Sequence, residues 1–355
     1  MRIWLFCLAA LVSPLLSACT KETEGTDMPA SAVTPHSSDM DINGITLRVT
    51  EAGPKNGPLV LLIHGFPELA YSWRYQIPAL AEAGYHVVVP DMRGYGGSSS
   101  PANVEDFDIH HLAGDVVGLI DAFGHETATL IGHDWGAAVA WNSVLLHPER
   151  FNGLMTMSVP YRGRGPAAPT AMMERNFGEN FYYMLYFQEP GVAEAEFDPE
   201  PRDILNKLYA DPDTPRSAPE VTDPRASAGG WGVRFGEPLE RPDWMSEDDL
   251  QVYVDAFNTS GFRGGVSYYR NLDRNWETTE SLQGATISIP VRFLAGDKDV
   301  VIGGADEAAL RQMMSNTALD LEKVVVVPDT GHWIQQEQSE IVNAEILEFL
   351  ASLHD

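Results

Sequence analysis

The stretch Ala128-Thr129-Leu130-Ile131-Gly132-His133-Asp134-Trp135-Gly136-Ala137-Ala138-Val139-Ala140-Trp141 decides how this chain is read. Ala128 to Ile131 is a short apolar run with the length of a buried strand, and Ala137 to His147 carries a helical pattern. Gly132 to Gly136 join them in a turn so short that the glycines are needed where the backbone meets its neighbours. Asp134 stands at the apex, the setting of a nucleophile elbow. Two readings of it are open at this point. It is an N-cap that accepts hydrogen bonds from the following helix, or it is a carboxylate nucleophile. A carboxylate is already ionised at neutral pH and attacks without a base, which suits displacement at a saturated carbon better than acyl transfer.

Outward from this turn, further apolar runs read as strands at Leu59 to Ile63, His86 to Val89, Leu154 to Val159, Val291 to Ala295 and Val324 to Val327. Helical patterns fill the gaps at Ser72 to Ala83, His110 to Phe123, Glu307 to Met314 and Glu337 to Leu353. Buried strands separated by helices imply an α/β fold with a mostly parallel central sheet flanked by helices. Between Val159 and Ile289 the rhythm breaks: this segment is rich in Tyr, Trp, Pro and Gly and has no convincing buried strand. We expect core over 41–160 and 288–355 and an inserted, mainly helical cap over 161–287. Ligands of open α/β sheets bind at the carboxyl ends of the strands, so such a cap would roof that edge.

Two more strand-end loops carry chemistry. Gly296-Asp297-Lys298-Asp299 follows one strand and Asp329-Thr330-Gly331-His332-Trp333 follows the next. With Asp134 they give the chain order nucleophile, acid, histidine. A histidine oriented by a carboxylate can deprotonate water, the step that releases an alkyl-enzyme ester. Asp299 is the expected partner of His332, and Asp297 the turn residue. The segment His64-Gly65-Phe66-Pro67-Glu68 ends the first apolar strand. Backbone N–H groups of Phe66 and Trp135 could converge there on one oxygen as an oxyanion hole. His64, Gly65 and Pro67 are expected to shape that loop, with Pro67 a candidate for a cis peptide bond. Asp91-Met92-Arg93-Gly94-Tyr95-Gly96-Gly97-Ser98 lacks phosphate-binding spacing and reads as packing. His110-His111, at a helix start with no spaced partner, reads as capping or surface.

Taken together, His64-Gly65-Phe66-Pro67, Gly132-His133-Asp134-Trp135-Gly136, Gly296-Asp297-Lys298-Asp299 and Gly331-His332-Trp333 resemble the motifs of epoxide hydrolases of the α/β-hydrolase superfamily, over nearly everything from residue 41 onward. Haloalkane dehalogenases share several of these motifs. The cap distinguishes the two. Tyr183-Met184-Leu185-Tyr186-Phe187-Gln188-Glu189-Pro190-Gly191 resembles the soluble epoxide hydrolase segment whose tyrosine donates to the epoxide oxygen, and Tyr268-Tyr269-Arg270-Asn271 resembles the segment with the second. The resemblance thus implies Tyr183 and Tyr269 as proton donors. Ring opening releases an alkoxide that needs such donors, whereas a departing halide needs only weak ones. Tyr182, Tyr186 and Tyr268 are left as ordinary cap aromatics. Phe66 stands where a dehalogenase often has Asn. The implied activity converts a small apolar epoxide and water to a vicinal diol, with no metal or organic cofactor. The rivals are a haloalkane dehalogenase and, from another class, a non-catalytic envelope lipoprotein that binds apolar ligands.

The N-terminus reads as a targeting segment. After Arg2 an apolar run from Ile3 to Val12 is too short to span a bilayer as a stable helix but fits a signal-peptide core. Leu16-Ser17-Ala18-Cys19 resembles a bacterial lipobox. We expect a signal peptide over 1–18, lipidation at Cys19, a flexible tether over 19–40, and location in the cell envelope. Cys7 and Cys19 are the only cysteines, so the mature fold would hold neither a disulfide nor a free thiol. Across 355 residues the net charge is −28, and lysine occurs only at Lys21, Lys55, Lys207, Lys298 and Lys323. Such a surface repels phosphate backbones and anionic lipid, which excludes nucleic acid as a partner and leaves the anchor as the membrane contact. The same balance would suit a saline habitat.

Overall fold

The apolar runs become the interior of one sheet. The computed structural model describes residues 34–238 and 240–353. Its strands are β1 (His36–Ile42), β2 (Ile45–Ala52), β3 (Leu59–Ile63), β4 (His86–Pro90), β5 (Ala128–His133), β6 (Phe151–Met157), β7 (Val291–Gly296) and β8 (Leu321–Val327). Neighbours follow the order β1-β2-β4-β3-β5-β6-β7-β8. The β1–β2 and β2–β4 pairs are antiparallel, and every pair from β4 to β8 is parallel.

In β3, Leu59, Leu61 and Ile63 enter one apolar cluster while Val60 and Leu62 enter another. This is the period-two alternation of a strand covered on both faces. Each such side chain, fully buried, contributes about 1.5–3 kcal/mol. The stack therefore holds the carboxyl ends of β3, β5, β7 and β8 rigidly side by side.

The amino-terminal hairpin departs from the sequence reading. The tether was expected to reach residue 40, but His36–Ile42 is strand β1, hydrogen-bonded along its length to β2. The two turn on Asn43 (φ 51°) and Gly44 (φ 80°), with Ile42 opposite Ile45. That is the two-residue hairpin loop which Asn-Gly favours, because both positions need positive φ. Residues 1–33, with the expected signal peptide and Cys19, lie outside the described residues.

Other boundaries shift for local reasons. The strand expected to run to Val159 ends at Met157, because Ser158 takes φ 71° and turns the chain out of the sheet. The helix expected over 72–83 divides into a 3₁₀ turn, Ala70–Trp73, and a helix, Gln76–Glu82. The last one divides into Ile334–Glu337 and Ser339–Ser352. The helix Ile109–Ala122 is N-capped by Asp108, whose carboxylate also meets His111 Nδ1 at 2.7 Å.

Between β6 and β7 the described chain forms helices, among them Pro201–Leu208, Glu247–Ser260 and Arg263–Arg270, with no strand beyond isolated bridges. Phe187, Leu205, Tyr253 and Phe262 from this segment share one apolar cluster with Leu61 and Ile63, so cap and core are not separate interiors. The helix Arg263–Arg270 lies directly on the loop after β4. A Cβ on Gly94 would come within 2.7 Å of Gly264 Cα, and Tyr268 Oη donates to Arg93 O at 3.0 Å. The glycine-rich loop is thus the seat of the helix that carries Tyr269. Asp91 fastens it by accepting from Ala70 N (2.9 Å).

Candidate active site

Because β3, β5, β7 and β8 run parallel, the loops that follow them meet at one edge of the sheet. Asp134 leaves β5 with φ 51° and ψ −119°, a left-handed conformation that aims its carboxylate away from the helix Trp135–Leu146. It makes no side-chain cap to that helix, which removes the N-cap reading. The bend depends on small neighbours: a Cβ on Gly136 would fall on Ile63 O, and one on Gly65 would fall on the Asp134 carboxylate. The Phe66–Pro67 peptide is cis. Phe66 N donates to Asp134 Oδ1 at 2.8 Å, and the neighbouring Trp135 amide also favours the charged carboxylate. The other oxygen, Oδ2, faces His332 Nε2 at 3.7 Å. Burial pushes the Asp134 carboxyl up, and His332, His133 and the two amides oppose that shift.

His332 Nδ1 lies 3.0 Å from Asp299 Oδ1, and Asp299 is 2% exposed. Asp297 instead accepts from Thr330 N at 3.1 Å and ties the acid loop to the histidine loop. Burial disfavours the charged imidazole, but Asp299 and then Asp134 outweigh it and push His332 up to about 9. Burial raises the Asp299 carboxyl, and His332 with Ser158 more than offsets it, so Asp299 stays below the usual range.

A stability consequence follows. The folded value of His332, about 9, lies above the ordinary imidazole value of about 6.5. Its contribution is therefore complete below about 6.5 and is lost as pH rises through the folded value. Thermal melts between about pH 6 and pH 10 should lose more stability in the wild type than in His332→Gln. Parallel curves would contradict the charge pairing.

The residues around the triad are less visible in sequence. Ser158, fully buried at the end of β6, places Oγ 3.1 Å from His332 Nδ1. Glu68 and His133 are both 0% exposed and pair at 2.7 Å. Glu68 also accepts from Gly65 N (2.8 Å) and Gln335 Nε2 (2.7 Å), while His133 Nε2 meets His332 O at 2.7 Å. Burial alone would raise the Glu68 carboxyl, but His133 and His64 bring it down to about 2. His64 Nε2 accepts from Met92 N (2.9 Å), so its Nδ1 carries the proton and donates to Gly65 O (2.9 Å). From the cap, Tyr209 Oη donates to Pro67 O (2.7 Å), and Leu208 O accepts from Trp333 Nε1 (3.0 Å). The helix Pro201–Leu208 thus ends on both the oxyanion loop and the histidine loop. Such contacts join residues far apart in the chain and leave no periodic signal.

A cavity of about 250 Å³ opens above Asp134 and His332. Tyr183 and Tyr269 line it from the cap, with Phe66, Trp231 and Trp333 among the apolar walls. The Tyr183 and Tyr269 rings meet edge to face at 5.8 Å, and Tyr183 stacks on Trp231 at 4.8 Å. Burial, reinforced by Asp134, holds both phenols well above their ordinary value, with a hydrogen bond to Tyr269 offsetting part of the rise at Tyr183. They stay protonated and can donate. The other cap tyrosines serve elsewhere: Tyr186 Oη donates to Glu196 (2.7 Å), and Tyr182 stacks on Phe177 at 3.9 Å.

The family of the alpha/beta hydrolase fold matches residues 58–338. Epoxide hydrolase A of Mycobacterium tuberculosis is 46% identical, over 88% of this chain and 97% of its own. Epoxide hydrolase 3 of Siraitia grosvenorii is 38% identical, over 88% and 96%. The crystal structure of Epoxide Hydrolase A from Mycobacterium thermoresistibile superposes with a TM-score of 0.81 at 44% identity, covering 90% of this chain and 98% of that one.

Proposed function

The chain belongs to the epoxide hydrolases of the α/β hydrolase fold, and from that premise we propose that it opens an epoxide through a covalent ester on Asp134 and hydrolyses the ester to a vicinal diol. The observation that carries this reading is the split duty of one carboxylate. Oδ1 rests on the Phe66 amide while Oδ2 is turned to His332 beneath two protonated phenols.

Asp134 Oδ2 attacks a ring carbon, the carbon–oxygen bond breaks, and the electron pair left on the epoxide oxygen takes a proton from Tyr183 or Tyr269. Esterification removes the negative charge of Asp134, one of the three carboxylates, with Asp299 and Glu68, that hold His332 up. The imidazole then releases its proton to solvent more readily, and in its neutral form it can act as the base. It takes a proton from water as the hydroxide adds to the ester carbonyl, and the oxyanion develops on the oxygen already held by Phe66 and Trp135. Collapse expels the second diol oxygen, which recovers the proton from His332. The proton left on the new carboxyl restores the phenol.

Purified protein lacking residues 1–18 should form diol from aryl or alkyl epoxides and release no halide from haloalkanes. Halide without diol would mean that the pocket serves dehalogenation. Replacing both Tyr183 and Tyr269 with Phe should slow single-turnover ring opening by about 10²–10⁴-fold. An unchanged burst of alkylated enzyme in the double variant would remove them from the mechanism.

We propose further that the chain is exported and anchored by lipid at Cys19, which the Leu16-Ser17-Ala18-Cys19 sequence supports. Cys19→Ser should move the protein from the membrane to the soluble fraction of its bacterial host. A soluble wild type would refute the anchor.

A further inference from the structure

His332 Nδ1 lies between two oxygens at nearly equal distance, Asp299 Oδ1 at 3.0 Å and Ser158 Oγ at 3.1 Å. Nδ1 must carry a proton, since a bare nitrogen would set its lone pair against the Asp299 carboxylate. The Ser158 hydroxyl therefore cannot donate to it. Its oxygen can take a share of the Nδ1 hydrogen, which leaves the hydroxyl's own hydrogen for another acceptor. Ser158 is fully buried, and the neighbour that gains most from a donor is the Asp299 carboxylate, whose charged form the hydroxyl favours.

The backbone is bent to hold the hydroxyl there. Ser158 has φ 71°, and Val159 N donates back to Met157 O at 2.9 Å, which closes a three-residue turn of the strained hand. Ser158 N donates to Leu294 O (2.9 Å) in β7, the strand that leads to Asp299. Glycine would relieve the turn, yet the position carries a side chain aimed at the acid and the histidine. Strain of this kind persists only where the surroundings fix it, and it gathers at working sites.

We propose that Ser158 is a positioning residue of the hydrolytic half-reaction, whose hydroxyl donates to Asp299 and so limits how strongly that carboxylate holds the proton of His332. The proposal rests on the two-step reading above and adds a control on its base. The groups facing His332 are Asp299 after β7, Asp134 and His133 at the end of β5, Glu68 after β3, and Glu337 in the helix that follows. The carboxylates among them favour imidazolium, whereas ester hydrolysis needs the neutral ring. A neutral donor draws part of the Asp299 charge away from Nδ1, so the ring gives up its proton at lower pH. This matters most once Asp134 is esterified, when Asp299 is the carboxylate left in contact with the ring.

The test follows decay of the alkyl-enzyme after a burst with styrene oxide, between about pH 5 and pH 9. Ser158→Gly removes the hydroxyl and accepts the positive φ, and Ser158→Asn tolerates the same φ while returning an N–H donor. In Ser158→Gly the acid limb of hydrolysis should move to higher pH, so that rates on that limb fall about three- to tenfold, as loss of one hydrogen bond allows, with the alkaline plateau kept. Ser158→Asn should move the limb back towards wild type. A limb unmoved or moved down in Ser158→Gly would overturn the proposal, as would Ser158→Asn indistinguishable from Ser158→Gly. A rate lowered equally at every pH would also overturn it, because a scaffold role predicts that result. Ser158→Ala keeps the side-chain stub and is read in the same way should Gly loosen the fold. Wild type that forms adduct and diol while the variants show no limb shift defeats this inference alone. Wild type that forms neither defeats the underlying reading and this inference with it.

Discussion

Asp134→Ala should lose diol formation by about 10⁴-fold or more and should form no covalent adduct with any epoxide. Among the described residues, Asp134 is the one carboxylate that both lines the cavity and lies next to His332 Nε2. Ala can take the same positive φ, though at somewhat greater cost than Asp. A loss of activity therefore reports chemistry more than folding, and a thermal melt close to wild type would verify this. The check is intact-protein mass spectrometry after incubation with epoxide, run beside a diol assay. Near-normal diol from the variant would mean that the nucleophile lies elsewhere.

His332→Gln separates the two half-reactions. Ring opening requires Asp134 and the phenols, so the variant should still be alkylated, gaining the full mass of the epoxide. Release requires a base for water, so turnover should fall by about 10²–10⁴-fold and the adduct should persist. Gln fills a similar volume and its amide N–H can still donate to the buried Asp299 carboxylate, which limits disturbance there. Failure to accumulate an adduct under conditions where wild type turns over would show that His332 also takes part in ring opening.

The triad was legible because each member sits in a short glycine-bearing loop after a run of buried apolar residues, a pattern confined to a few consecutive positions. Asp134, Asp299 and His332 come together at one edge as soon as the strands are parallel. The oxyanion loop could be read in the same way, from Gly65 and Gly136 at points where backbones nearly touch. Tyr183 and Tyr269 were legible only through resemblance, since nothing in their local pattern separates them from Tyr182 or Tyr268.

The β1–β2 hairpin was missed for a physical reason. Its strands lie at the sheet's edge, β1 is largely exposed, and an exposed strand carries no apolar run. The signal was the Asn43-Gly44 dipeptide, a hairpin turn by its chemistry. Glu68, His133, Ser158 and Tyr209 were missed as partners because their long-range contacts cross 65 to 267 positions of chain. Local periodicity does not encode such pairings.

Isotope labelling in a single turnover reads out the covalent ester on Asp134. With enzyme in excess over epoxide in ¹⁸O-water, attack by Asp134 transfers a carboxylate oxygen to the diol, and water replaces it in the side chain. The expected result is an unlabelled diol and ¹⁸O in the peptide that contains Asp134. Labelled diol with an unlabelled peptide would show that water attacks the epoxide directly, and would contradict the mechanism.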